Sequence, residues 1–170
     1  MAGFFSKNIE PYDDYMTPKS AWEDIAPHIP KDKTIWEAFY GDGQSGKDLE
    51  ELGFNVIHDK RDFFKHNEGD VVVSNPPFSI KRRVLARLRE LGKPFILLLP
   101  IYTITMLYFQ DMFANGEDKI QIIIPRKRIH FKRWSPHDTE EQPWKKKCNF
   151  DTLYVCWKIN LPSDIMFLPQ

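Results

Sequence analysis

Short apolar runs alternate with helical patterns over the first hundred residues. Residues 34–40, with Ile35, Trp36, Ala38 and Phe39, read as a strand running into a glycine cluster. Residues 44–52 follow as a helix and 54–58 as a second strand. Residues 70–74 and 94–99 are continuous apolar runs, the pattern of strands buried on both faces of a parallel sheet. Between them, residues 80–91 place Ile80, Val84, Leu85, Leu88 and Leu91 at helical spacing, with basic residues on the other positions. Ser79 is the expected N-cap of that helix and Gly92 its stop. Another helix is predicted over 102–114 and two more strands over 119–125 and 150–159. This alternation predicts a doubly wound, Rossmann-like α/β sheet, mostly parallel with an antiparallel C-terminal strand. Ligands of such sheets sit beyond the carboxyl ends of the strands.

Segment 126–149 breaks the pattern. It holds Trp134, Pro136, Pro143, Trp144 and the run Lys145, Lys146, Lys147, and reads as a long substrate-binding loop rather than a core element. The chain has 170 residues, the size of one domain, and its 42% hydrophobic content suffices for one core. No apolar run approaches the ~20 residues of a membrane span, and acids stand where a signal peptide needs its apolar stretch. A soluble intracellular protein, cytoplasmic or nuclear, is expected. Two cysteines, Cys148 and Cys156, make a disulfide framework or a cysteine-based zinc site improbable on number alone, and both are expected to be reduced.

The formal net charge is zero, yet the charges are divided. Residues 1–70 carry 8 Lys/Arg against 15 Asp/Glu, and residues 71–170 carry 16 against 9. The acidic and basic halves therefore predict different faces of one fold.

The cluster Gly41-Asp42-Gly43-Gln44-Ser45-Gly46-Lys47 admits three readings. As G-x-G-x-x-G between strand and helix it lets the backbone approach a nucleotide-like ligand, with Asp59 at the next strand end accepting from ribose hydroxyls. As a phosphate-binding loop it fails at Asp48, where Ser or Thr is needed. As a tight turn it needs its glycines for conformation alone.

A second motif bears on the choice. Ser74-Asn75-Pro76-Pro77-Phe78 closes the apolar run Val71 to Val73 and so falls at the carboxyl end of a central strand. Two prolines remove two amide donors and leave carbonyl acceptors, Asn75 adds another acceptor, and Phe78 supplies a flat apolar face. Such a site suits a planar base with an exocyclic amino group that has left its helix. The alternative, a rigid Asn-Pro-Pro turn, weakens once the motif is placed one strand-helix-strand unit after the glycine turn.

These residues resemble a known family. Tyr15-Met16-Thr17-Pro18, the turn from Glu37 to Gly43, Asp62-Phe63-Phe64, the Asn75-Pro76-Pro77-Phe78 tetrad, Leu98-Leu99-Pro100 and Arg128-Ile129-His130-Phe131 stand in the order seen in amino-group methyltransferases that use S-adenosylmethionine. The nearest likeness is to adenine-N6 methyltransferases, including compact phage-type DNA adenine methylases, which leaves a viral or phage source open. The likeness spans residues 12–158. It implies that Thr17, Glu37, Gly41 and Gly43 hold the methionine part of the cofactor, Asp59 the ribose, and Asp62 and Phe63 the adenine. It implies that Asn75, which also borders the cofactor, and Pro76 bind the target amino group while Pro77 stiffens the turn and Phe78 stacks on the ring. Ala38 departs from the proline common after the acid, and no clear strand separates Asp62 from Asp70, so a trimmed sheet is expected.

For the basic half the expected contacts to nucleic acid, DNA or RNA, are Lys81, Arg82, Arg128, Phe131, Arg133, Trp134, Lys145, Lys146 and Lys147. His130, His137, Asp138, Glu140 and Glu141 have no common metal-site spacing, and no metal is expected. One domain implies either low sequence specificity or target recognition supplied by the 126–147 part of that loop with a partner subunit or in a homodimer. Competing readings are a protein glutamine-N5 methyltransferase, a non-catalytic cofactor-binding or nucleic-acid-binding subunit, and a nicotinamide oxidoreductase, the last resting on the glycine pattern alone.

Overall fold

A computed structural model describes residues 15–133 and 150–169. The elements in chain order are β1 (Tyr15–Met16), α1 (Lys19–Ile25), β2 (Thr34–Trp36), α2 (Gln44–Glu51), β3 (Asn55–Ile57), β4 (Val71–Ser74) and α3 (Lys81–Leu91). They continue with β5 (Phe95–Pro100), α4 (Leu107–Phe113), β6 (Ile120–Ile124), β7 (Lys132–Arg133), β8 (Thr152–Trp157) and β9 (Ile165–Phe167). Seven strands form one sheet in the order β3-β2-β4-β5-β8-β6-β9, and β1 pairs separately with β7. Pairs β3/β2, β2/β4, β4/β5 and β6/β9 are parallel, while β8 runs antiparallel to both neighbours.

The apolar alternation of the strands explains the layers. On β5, Ile96 and Leu98 face the cluster built on Ala21, Trp22 and Ile25 of α1 and Leu49 of α2. Phe95, Leu97 and Leu99 face the opposite cluster, with Val84, Leu85 and Leu88 of α3 and Phe109 and Phe113 of α4. A strand buried on both sides must be apolar at every position, and β5 is. The Tyr154 hydroxyl donates to the carbonyl of Ala21 at 2.7 Å and ties α1 to β8. No helix among the described residues is long and apolar enough to cross a membrane.

Several expectations are refined. The strand expected over 34–40 ends at Trp36, and Glu37 begins an irregular stretch. The antiparallel strand is β8, set inside the sheet; the last strand, β9, is parallel to β6 and forms an edge. Helix α3 starts at Lys81 after a 3-10 turn over Phe78–Ile80, so Ser79 lies inside that turn rather than capping the helix, whereas Gly92 ends it at φ 62° as expected. The helix expected over 102–114 is broken: Ile101–Thr105 is a 3-10 turn, Met106 is extended at ψ 139°, and α4 follows. The β-branched residues Ile101, Thr103, Ile104 and Thr105 account for the break, since they are poor α-helix formers.

The sheet is trimmed as expected, with no strand between Ile57 and Val71. Lys93 stands in for the missing packing. Its buried ammonium donates to Asn67 Oδ1 at 2.8 Å and to the carbonyl of Gly69, holding that loop under β4.

Segment 126–149 is not uniformly a solvent loop. Ile129 and Phe131 are buried in the core and β7 pairs with β1. Residues 134–149, with Trp134, Cys148 and the three lysines, lie outside the described residues. Cys156 is a free, buried thiol whose pKa burial pushes up to about 12.

Candidate active site

Strands β2 and β4 are adjacent and parallel, in the register Ile35↔Val71 and Trp36↔Val72. Their carboxyl ends therefore deliver Glu37 and Ser74-Asn75 side by side. The Ser74 hydroxyl donates to Glu37 Oε1, both groups being buried. Removal from water pushes the Glu37 carboxyl up to about 8, and the hydrogen bonds from Ser74 and the Phe39 backbone offset part of that rise. At neutral pH this carboxyl is largely protonated.

Asn75 is oriented from the chain's other end. Its Nδ2 donates to the carbonyl of Tyr15 at 2.9 Å, which leaves Oδ1 as a buried acceptor with no partner among the described residues. Thr17 Oγ1 and Glu37 Oε2 are buried and unpartnered in the same way. A buried polar atom without a hydrogen bond costs roughly 1–3 kcal/mol. Such atoms also occur elsewhere among the described residues, Trp22 Nε1 and Arg87 Nε for example, but three of them meet at the expected cofactor and catalytic positions, which makes this the candidate site.

The glycine turn is shaped by close approach. Gly43 sits at φ 83°, and a Cβ there would lie 2.6 Å from the Tyr40 hydroxyl. At Gly46, in the first turn of α2, a Cβ would meet the His58 ring at 2.2 Å. Gly41 is also left-handed, at φ 56°. Asp48, the residue that spoils a phosphate-binding loop, is buried within α2 and accepts from Gln44 Nε2 at 2.8 Å. Beyond β3, Asp59 is exposed and pairs with Arg61 at 3.3 Å. Asp62 Oδ1 accepts the backbone N–H of Phe64 at 2.9 Å. Phe63 is buried, its ring stacked on Trp36 at 5.3 Å and tilted against Phe39 at 4.9 Å.

No family model matches the chain, and no curated protein matches it by sequence. A solved structure does match: "a putative RNA methyltransferase PH1948 from Pyrococcus horikoshii", with a TM-score of 0.52 and 17% identity over 92% of each chain. The sheet has a Rossmann-like methyltransferase fold. At that identity the likeness is one of fold, and the chemistry rests on the side chains.

The structure gathers Thr17, Glu37, Gly41, Gly43, Asn75, Pro76, Pro77 and Phe78 at or beside the carboxyl ends of β2 and β4. It also shows what the sequence left unseen. Phe78 is 6% exposed, and its ring is stacked on Tyr15 with centroids 5.5 Å apart. Phe131, expected to stack on nucleic acid, is a core residue instead, 5% exposed and edge-on to both rings. The reason is the β1/β7 pair, which brings residues 15 and 131–133 together over the tetrad. Arg128 is exposed and ion-paired with Asp151 at 2.6 Å. Of Arg133 the backbone alone is described. Ser74 and Tyr15 stand in the motifs quoted from the sequence, but those motifs alone assign neither of them a role. A serine closing a run of three valines was the available signal for the first.

Proposed function

We propose that the chain transfers a methyl group from S-adenosylmethionine to the exocyclic N6 amino group of adenine in nucleic acid, with DNA favoured. The observation that carries this reading is the Asn75 amide: its Nδ2 donates to Tyr15, and its oxygen is a buried acceptor at the end of β4 with no partner among the described residues. The residues fit the cofactor. Thr17 Oγ1 and Glu37 Oε2 can take its polar methionine end, the glycine turn gives its backbone room, and Asp59 lies at the ribose-binding strand end. When bound, the cofactor supplies an electrophilic methyl group on a sulfonium.

The protein's task is alignment and electronic preparation of the nitrogen. An adenine amino group is a weak nucleophile because its lone pair is delocalised into the ring. Accepting its two N–H groups at Asn75 Oδ1 and the Pro76 carbonyl localises that pair and points it at the methyl group. A strong general base is then unnecessary, since the proton is lost after the nitrogen has become cationic. In the arrangement described, Tyr15 covers the ring of Phe78, so stacking of the target base on Phe78 calls for Tyr15 to give way.

The test is incubation with labelled cofactor and separate DNA, RNA and protein pools, followed by digestion. N6-methyladenine is the expected product. Label in RNA alone would move the substrate to the second reading, which the description of the structural neighbour favours. Label in glutamine, or none, would overturn the proposal. Recognition of a target sequence is assigned to residues 126–149 together with a partner subunit or a second copy.

A further inference from the structure

The break in the helix expected over 102–114 has a surface consequence. Ile101 is 51% exposed, Tyr102 46%, Met106 40% and Leu107 73%. Single exposed apolar residues need no explanation, but a cluster of this density marks a contact surface. It follows β5, the strand next to β4, so it borders the tetrad at the carboxyl end of the sheet.

Lys81 links the two places. Its ammonium donates to the carbonyl of Phe78 at 3.1 Å and lies 5.2 Å from the centroid of the Tyr102 ring. The Arg82 guanidinium lies 5.5 Å from the ring of Tyr108, and among the described residues no carboxylate is within ion-pair distance of it. The segment therefore offers apolar and aromatic faces with cations laid beside them. That complements a strand with unpaired bases and phosphates, since base stacking and charge act on the same nucleotide.

We infer that, given the nucleic-acid substrate proposed above, the nucleotides flanking the target base cross this shelf. A flanking base stacks on Tyr102 and rests against Leu107, and its phosphates meet Lys81 and Arg82. The shelf thus serves positioning of the strand, while the tetrad serves the reacting base.

Anisotropy of a labelled, adenine-containing single strand, titrated with the full chain, tests this. Tyr102→Ala is expected to weaken binding roughly five- to a hundredfold, and Leu107→Ser to weaken it less. Arg82→Glu should lower the slope of log affinity against log salt by about one. A 2-aminopurine placed beside the target adenine should be quenched by wild type and not by Tyr102→Ala. Both side chains are exposed, so unfolding midpoints close to wild type will certify the variants. Wild-type affinity and quenching in Tyr102→Ala and Leu107→Ser, with wild type still methylating the strand, would overturn the shelf and leave the proposed function standing. A wild-type chain that neither binds nor methylates any oligonucleotide would remove both. A dimer seen by light scattering that Leu107→Ser dissociates, with oligonucleotide affinity unchanged, would make this a protein interface and overturn the inference.

Discussion

The two ends of the parallel strands treat buried polar groups in opposite ways. At the amino ends, Lys93 donates to Asn67 and Gly69, and the Asp70 carboxylate accepts the backbone N–H of Thr34 at 2.8 Å. At the carboxyl ends, Glu37 and Asn75 each use one atom internally and leave another buried and without a partner among the described residues, and the single hydroxyl of Thr17 nearby is buried and unpartnered too. Asp70 is exposed, but Lys93 is buried as Glu37 is, so for these two burial alone does not separate structure from function. Completion of the hydrogen bonds differs between them: the Lys93 ammonium is satisfied and holds the loop in place of a strand, whereas Glu37, Asn75 and Thr17 are left incomplete among the described residues, as the proposed function requires.

Asn75→Ala should make the largest difference between the two ends. Methyl transfer is expected to fall roughly 10²–10³-fold, with cofactor affinity within a few-fold of wild type by calorimetry. Unchanged turnover would break the comparison. Lys93→Met should do the converse, costing about 1.5–3 kcal/mol of stability in a denaturant titration, because two acceptors lose a charged donor, while turnover of the folded fraction stays near wild type.

Glu37 sharpens the comparison through pH. Its carboxyl titrates at about 8 in the fold against 4.5 ordinarily, so between those values the folded chain keeps a proton the unfolded chain has released. The stability this confers is complete below the unfolded value and is lost as pH rises through about 8. The unfolding midpoint of the cofactor-free protein should accordingly fall over that window, and Glu37→Gln should remove this part of the fall. The same variant should weaken the cofactor roughly tenfold or more. The smallest effect is expected from Ser74→Ala: losing a bond that lowers the Glu37 value should move the pH window upward, measurable as a shifted midpoint profile with the fold intact.

Local signals made much of this legible. Val71 to Phe78 announced both a buried strand and an acceptor-rich turn, and the 3.6-residue spacing of Val84, Leu85 and Leu88 announced α3 with its boundaries nearly right. Contacts between distant segments were not legible. Nothing near Asn75 shows that its amide would be set by a carbonyl 60 positions earlier, nor that β1 and β7, two residues each, would pair. Phe131 reads as an exposed aromatic because its neighbours are basic, and becomes a core residue because that pairing folds it inward. Lys93 carries no local sign of burial, since its partners are supplied by a loop that takes the place of a missing strand.

The interior position of β8 has a consequence for how the protein is made. Thr152–Trp157 fills the space between β5 and β6, so β5, paired with β4 on its other side, emerges from the ribosome with one open edge, and β6 emerges with no partner strand at all. The sheet cannot close until residue 157 is available, and its central pairing spans a long stretch of chain, which slows folding and leaves sticky edges exposed meanwhile. Nascent chains halted before Thr152 should therefore remain protease-sensitive and engage chaperones, whereas chains that present β8 and β9, through Phe167, clear of the ribosome should collapse into the finished sheet.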